Sequence, residues 1–236
     1  MKRMVEIIVG SVRANAMPAT VLWLVAIVLV AGYHFVSGIA SALEPVVQWH
    51  MTNGWRAAFL TQFFFCGVVP GAFLLTVRSI KTSHPIVKAL VQAVWCGGMG
   101  IACWWFYGLQ CCLFGDGCDV STLLYKTLVD QFIWTAFIVS PLGALFFVWL
   151  GCDFSFAKTR DTVQSGFVRR VVMPNLVANW CVWIPVVVAI YTFPRALQIV
   201  VLGIVSSIWV LLSLQIGSIT SHSATNARHE SQRPMQ

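Results

Sequence analysis

The chain has 236 residues, of which 58% are hydrophobic and only 10% charged, and its formal net charge is +7. A soluble domain carries about 25% charged residues, so this chain lacks the charge to cover a water-facing globule of its length. Its apolar residues form continuous runs without strand-like alternation, which argues against a β-barrel and predicts an all-α, polytopic bundle of transmembrane helices.

Six spans are expected in chain order. The first runs from about Pro18 to Ala42 and the second from about Ala57 to Val77. The third covers about Ile86 to Phe114 and the fourth about Leu123 to Leu150. Val171 to Tyr191 and Ala196 to Ile216 complete the set. Residues 1–217 then form one transmembrane domain, and Ser218 to Gln236 is a polar, aperiodic tail read as disordered. The first span also has a signal-peptide layout, with an apolar stretch Val21–Ala31 ahead of Ala40-Ser41-Ala42. Its length favours an uncleaved span.

The basic residues set the orientation. One side collects Lys2, Arg3, Arg13, Arg78, Lys81, Lys88, Lys158, Arg160, Arg169, Arg170, Arg228 and Arg233. The other holds only Arg56, Lys126 and Arg195. Twelve against three is a positive-inside pattern that alternates through all six spans and places both termini on the cytoplasmic side. The positive charge is therefore assigned to anionic lipid headgroups and not to nucleic acid. A bacterial inner membrane and an organelle membrane both satisfy it.

Polar residues inside the runs are the candidate functional groups. Lys126 and Asp130 are four apart and share one helix face. Two readings stand. In one, they form an ion pair anchoring the outer helix end, with Lys126 snorkelling to the headgroups. In the other, Asp130 and Gln131 belong to an acidic, hydrogen-bonding face on a water-filled vestibule. Asn175, Asn179 and Trp183 form a second stripe, serving as interhelical glue or as part of a polar path. Gln62 and Gln92 are candidates for the same use. Pro70, Pro141 and Pro185 are expected to kink their spans, and Gly67-Val-Val-Pro-Gly71 offers a small-residue face. The sequence Arg56…Gln62-Phe-Phe…Pro70 is echoed by Lys126…Gln131-Phe-Ile…Pro141, either as a weak internal repeat or as coincidence in a chain rich in Phe.

The eight cysteines have no metal-ligand spacing. Cys111, Cys112 and Cys118 cluster at the outer end of the third span, as packing thiols or as a short disulfide. The chain has no His-Glu-x-x-His helix and no Gly-x-Ser-x-Gly turn, and His34 is the only histidine well inside a span. No enzyme activity and no cofactor are expected.

Taken together, four segments resemble the Mpv-seventeen family of peroxisomal and mitochondrial integral membrane proteins. They are Gly100-Ile-Ala-Cys-Trp-Trp-Phe-Tyr107, Lys126-Thr-Leu-Val-Asp130-Gln131, Pro174-Asn-Leu-Val-Ala-Asn179-Trp180-Cys-Val-Trp183-Ile-Pro185, and Phe193-Pro194 followed by Trp209 and Ser213. The match covers residues 100–213. It departs from the family in five places: no proline follows Asp130-Gln131, Ile184 separates Trp183 from Pro185, Ile190-Tyr191 replaces the family's Asn-Phe, Arg195 follows Pro194 directly, and an additional N-terminal span is expected where family members are usually described with four. The resemblance implies a non-enzymatic membrane protein that passes small hydrophilic solutes, with Lys126, Asp130, Gln131, Asn175, Asn179, Trp183 and Arg195 as the pore or polar packing face. A non-conducting scaffold or assembly factor is the alternative. The expected partners are the lipid bilayer and small solutes, and a homo-oligomer could add a ring of charge.

Overall fold

The computed structural model describes residues 2–76, 83–164, 167–168 and 172–210, which are almost entirely helical, with no strand among them. In chain order the helices are α1 (Lys2–Phe35), α2 (Ser37–Asn53), α3 (Trp55–Gln62), α4 (Val69–Thr76), α5 (Pro85–Phe114), α6 (Val120–Val129), α7 (Ser140–Gly151), α8 (Phe156–Gln164), α9 (Met173–Tyr191) and α10 (Arg195–Val210). Two π-helical segments, Phe63–Val68 and Asp130–Val139, fuse α3 to α4 and α6 to α7 into continuous rods.

Both π segments lie just ahead of a proline. Pro70 and Pro141 have no N–H to donate, and their rings clash with the carbonyl four residues back. Widening the preceding turn relieves that clash, and bonds of the i→i+5 type take over. Val69 N–H reaches Phe64 O, and Ser140 N–H reaches Thr135 O. The prolines thus widen their rods without breaking them.

Among the described residues, three rods are long and apolar enough to cross a membrane: Trp55–Phe73, Pro85–Phe114 and Val120–Gly151. In the last two, only 17% of the most apolar window is buried within the protein, so large side chains such as Leu90, Trp105, Phe137 and Phe147 face outward. That much exposed apolar surface suits lipid and not water. A fourth span exists if Ala19–Phe35 and Ser37–Asn53 count as one broken pair, bent by 98°.

The first span expected, Pro18 to Ala42, is therefore not one helix. The chain turns a corner at Val36, which is extended at φ −108° and ψ 101°. Val36 N–H still donates to Gly32 O at 3.1 Å and Ile39 N–H to Val36 O at 3.0 Å, so the corner keeps backbone bonds. Both arms are apolar, so hydropathy runs smoothly across the corner. The Ala40-Ser41-Ala42 triplet lies inside α2. The fifth and sixth expected spans correspond to α9 and α10, whose apolar stretches, Asn175–Tyr191 and Arg195–Val210, are each shorter than 18 residues. At 1.5 Å per residue each covers about 25 Å. Val171, the stretch 211–216, the polar tail and the loop carrying Arg78 and Lys81 lie outside the described residues.

The main core forms where α9 and α10 meet α1 and α5, around Leu22, Tyr107, Val182, Val186, Ile190 and Leu197. The indole of Trp23 donates to Val182 O at 2.9 Å, joining α1 to α9. The first rod presses on α5 at two glycines. A Cβ on Gly67 would lie 2.3 Å from Ala93 Cα, and one on Gly100 would lie 2.6 Å from Ala58 O. No side chain fits there. At the opposite edge, Lys88 at the start of α5 pairs with Asp153 after α7 at 2.6 Å, and the Ser83 hydroxyl also bonds Asp153. These bonds hold the Asp153 carboxyl below its ordinary range and put the start of α5 beside the end of α7.

Candidate functional site: a polar chamber within the helices

A cavity of about 300 Å³ lies where the two π-containing rods, α5, α9 and α10 converge. Its polar lining includes Gln62, Asp130, Gln131, Thr135, Asn179 and Ser206. Aromatic rings supply much of the rest, notably Trp95, Tyr107, Trp134 and Trp183. Two are braced from behind: Trp95 stacks on Phe146 and Trp134 on Phe106, each with centroids 4.4 Å apart.

Asp130, at the start of the second π segment, is 4% exposed and is the hub. Its Oδ1 accepts from Gln131 Nε2 at 2.9 Å and from Thr135 Oγ1 at 3.2 Å. Its Oδ2 accepts from the Tyr191 hydroxyl at 2.6 Å, and that hydroxyl accepts from Gln110 Nε2 at 2.7 Å. The Thr135 bond depends on the π turn. Residues five apart diverge on an α-helix, where i+3 and i+4 share a face, but an i→i+5 turn brings them together. The indole of Trp180 donates to Gln131 O at 2.9 Å, bonding this segment to α9.

Gln131 and Gln110 are the two ends of the network, and the Oε1 of each lacks a partner; Gln131 is the one that lines the cavity. A carboxylate only accepts, so the glutamine must turn its NH₂ toward Asp130. Its Oε1 then has no hydrogen-bond partner although the side chain is buried. A buried acceptor without a donor is costly and points to something that fills it.

Of the seven residues assigned from sequence to the pore or polar packing face, the chamber brings together Asp130, Gln131, Asn179 and Trp183, and it also takes in Gln62. The other three lie elsewhere. Lys126 does not pair with Asp130 and is buried within the protein. It is 1% exposed, with Nζ 3.7 Å from Cys111 Sγ and 5.7 Å from the centroid of the Tyr191 ring. Tyr191, from α9, supplies the donor to Asp130 that the ammonium would have given. Arg195 stands over Trp104 at 4.7 Å, in space left by Gly108, whose Cβ would come within 2.4 Å of the guanidinium. Asn175 is exposed and does not line the chamber.

Thr135, Tyr191, Gln110, Trp95 and Trp134 carried no sequence signal as site residues. Thr135 needed the i+5 spacing, and Tyr191 lies 61 residues from Asp130. All eight cysteines are free, so the Cys111, Cys112 and Cys118 cluster forms no disulfide. Among the described residues, no group of three or more His, Cys, Asp or Glu side chains is placed to hold a metal. No family model, curated protein or solved structure matches the chain.

Proposed function

We propose that the chain is a six-span, non-enzymatic membrane protein with both termini on its basic side. In this reading the chamber is the narrow part of a path for small hydrophilic solutes. The observation that carries it is the unpartnered Gln131 Oε1 beside the Asp130 carboxylate, inside a cavity within apolar rods. Among the described residues five other buried side-chain atoms also lack a partner, but only Gln131 among these residues lines the cavity. The resemblance to the Mpv-seventeen family supports the same reading, because its Lys126–Gln131 and Asn179–Pro185 segments supply Asp130, Gln131, Asn179 and Trp183 to one chamber. The short α9 and α10 reach across the hydrocarbon with a modest local thinning of the bilayer.

A scaffold reading has one observation in its favour. Asp130 accepts three protein donors, including Tyr191 from α9, and such a network also holds helices together. Solute flux separates the two. Proteoliposomes containing the full chain should release a trapped small sugar and show cation over anion preference, since an acidic site raises the local cation concentration. Asp130→Asn should shift that preference toward anions while the protein still inserts. Wild-type liposomes that release nothing would leave the scaffold reading in place.

A further inference from the structure

Resting on the reading of the cavity as a solute chamber, we propose that its occupant is a small organic cation bearing a primary ammonium group. The hydrogen-bonding demand of the Asp130–Gln131 wall decides this. Asp130 can only accept, and Gln131, held by its NH₂ to Asp130 Oδ1 at 2.9 Å, offers its free Oε1 as a second acceptor. Two adjacent acceptors call for a ligand with several N–H donors and positive charge. No cationic side chain comes within 4.0 Å of the Asp130 carboxylate among the described residues. Lys126, the nearest in sequence, is turned to Cys111 and the Tyr191 ring. The protein supplies Asp130 with hydrogen bonds but no countercharge, and a buried carboxylate without one is expensive.

The remaining walls fit the rest of such a molecule. Trp95, Tyr107, Trp134 and Trp183 line the same cavity with π-systems, the surface on which organic cations are held. A quaternary ammonium would use those rings but would leave Gln131 Oε1 empty. A divalent metal is a poor match, because calcium or magnesium takes six or more oxygen ligands and Asp130 already accepts three protein donors. At about 300 Å³ the cavity is at the small end of ligand pockets, which run from about 300 to 1,000 Å³. A single-ring or short-chain amine fits that volume, and a nucleotide does not.

The test uses the full wild-type chain in lipid nanodiscs, with tryptophan fluorescence or calorimetry reporting binding at pH 7. Four probes share one benzyl or phenyl body: benzylammonium, benzyltrimethylammonium, benzyl alcohol and benzoate. Benzylammonium should bind saturably and at least tenfold more tightly than the other three. Asp130→Asn should weaken it tenfold or more, and Gln131→Leu should narrow the gap between benzylammonium and benzyltrimethylammonium. Equal binding of benzyl alcohol or benzoate by the wild type would overturn the proposal without recourse to any variant. So would an Asp130→Asn protein of unchanged melting temperature and unchanged benzylammonium affinity. Sugar release from liposomes is a separate readout. Selective amine binding without sugar release supports the site and removes the path; sugar release without amine selectivity removes the site and keeps the path.

Discussion

In the rod Trp55–Thr76, the amide of Gln62 uses both of its ends. Its Nε2 donates to Ile199 O at 2.9 Å, and its Oε1 accepts from the Cys66 thiol at 2.8 Å. In the rod Val120–Gly151, Gln131 is the second residue of the π segment, whereas Gln62 just precedes its own, and the Gln131 Oε1 meets no donor. The two rods share their α–π–α build, and both glutamines line the same cavity. What differs is the neighbour. Gln62 lies against α10, whose Ser207 hydroxyl also bonds Phe65 O, and against α5 at Gly100. Gln131 lies beside a carboxylate that claims its NH₂ and leaves its buried oxygen without a donor. One glutamine closes a helix contact, and the other leaves a site open.

Substitutions can break that comparison, beginning where the first rod is tightest. Gly67→Val places atoms where Ala93 already stands, 2.3 Å from the new Cβ. Overpacking of this kind costs about 1–3 kcal/mol, so thermal melting in nanodiscs should show the largest loss here, with α5 pushed off the rod. Tyr191→Phe comes next, removing a donor to Asp130 and stranding Gln110 Nε2. Hydrogen bonds between transmembrane helices average about 0.6 kcal/mol and reach about 1.7, and this shared pair belongs at the upper end. The variant should also weaken benzylammonium binding.

Gln62→Leu should cost about 0.6–1.7 kcal/mol by the same scale and leave amine selectivity intact. Gln131→Leu should do the reverse: a smaller stability loss, because one of its two polar ends is unbonded, with a clear loss of selectivity. Equal effects of the two glutamines on binding would erase the distinction drawn between the rods.

The smallest effect lies at the rod starts. The first rod begins after Gly54, which has no side chain to cap it, whereas Asp119 caps the second by accepting from Thr122 N at 3.0 Å. The Ser121 hydroxyl and the Thr122 N–H pull the Asp119 carboxyl from 3.8 down to about 2. A depressed carboxylate stabilises the helix above its unfolded value and loses that contribution as pH falls from about 4 to about 2. Hydrogen exchange should therefore show fraying at Val120–Leu123 on acidification, with no matching change at Trp55–Ala58.

The helices and their approximate ends were legible because long, charge-poor runs dominate a helical hydropathy pattern. Pro70 and Pro141 were legible as perturbations, but not as π turns, because a proline specifies what bond is lost and not which replaces it. The Lys126–Asp130 pairing failed for a related reason. The i,i+4 rule assumes α geometry and no competitor, and Asp130 begins a π segment with Tyr191 against it. Asn175 and Asn179 look equivalent on a helical wheel, yet one is exposed and the other reaches the cavity.

The sequence by itself determined that the chain is helical and built from apolar rods, since only such runs let the backbone satisfy its hydrogen bonds away from water. It also named Asp130, Gln131, Asn179 and Trp183 as residues out of place in those rods. Tertiary structure alone decided which polar groups were consumed and which were left over. Ile199 O and Cys66 satisfy Gln62, Tyr191 displaces Lys126 from Asp130, and Gln131 Oε1 remains unmet. Hydropathy is a property of each residue in turn. Satisfaction of a hydrogen bond belongs to a pair, and most of these pairs are contributed by different helices.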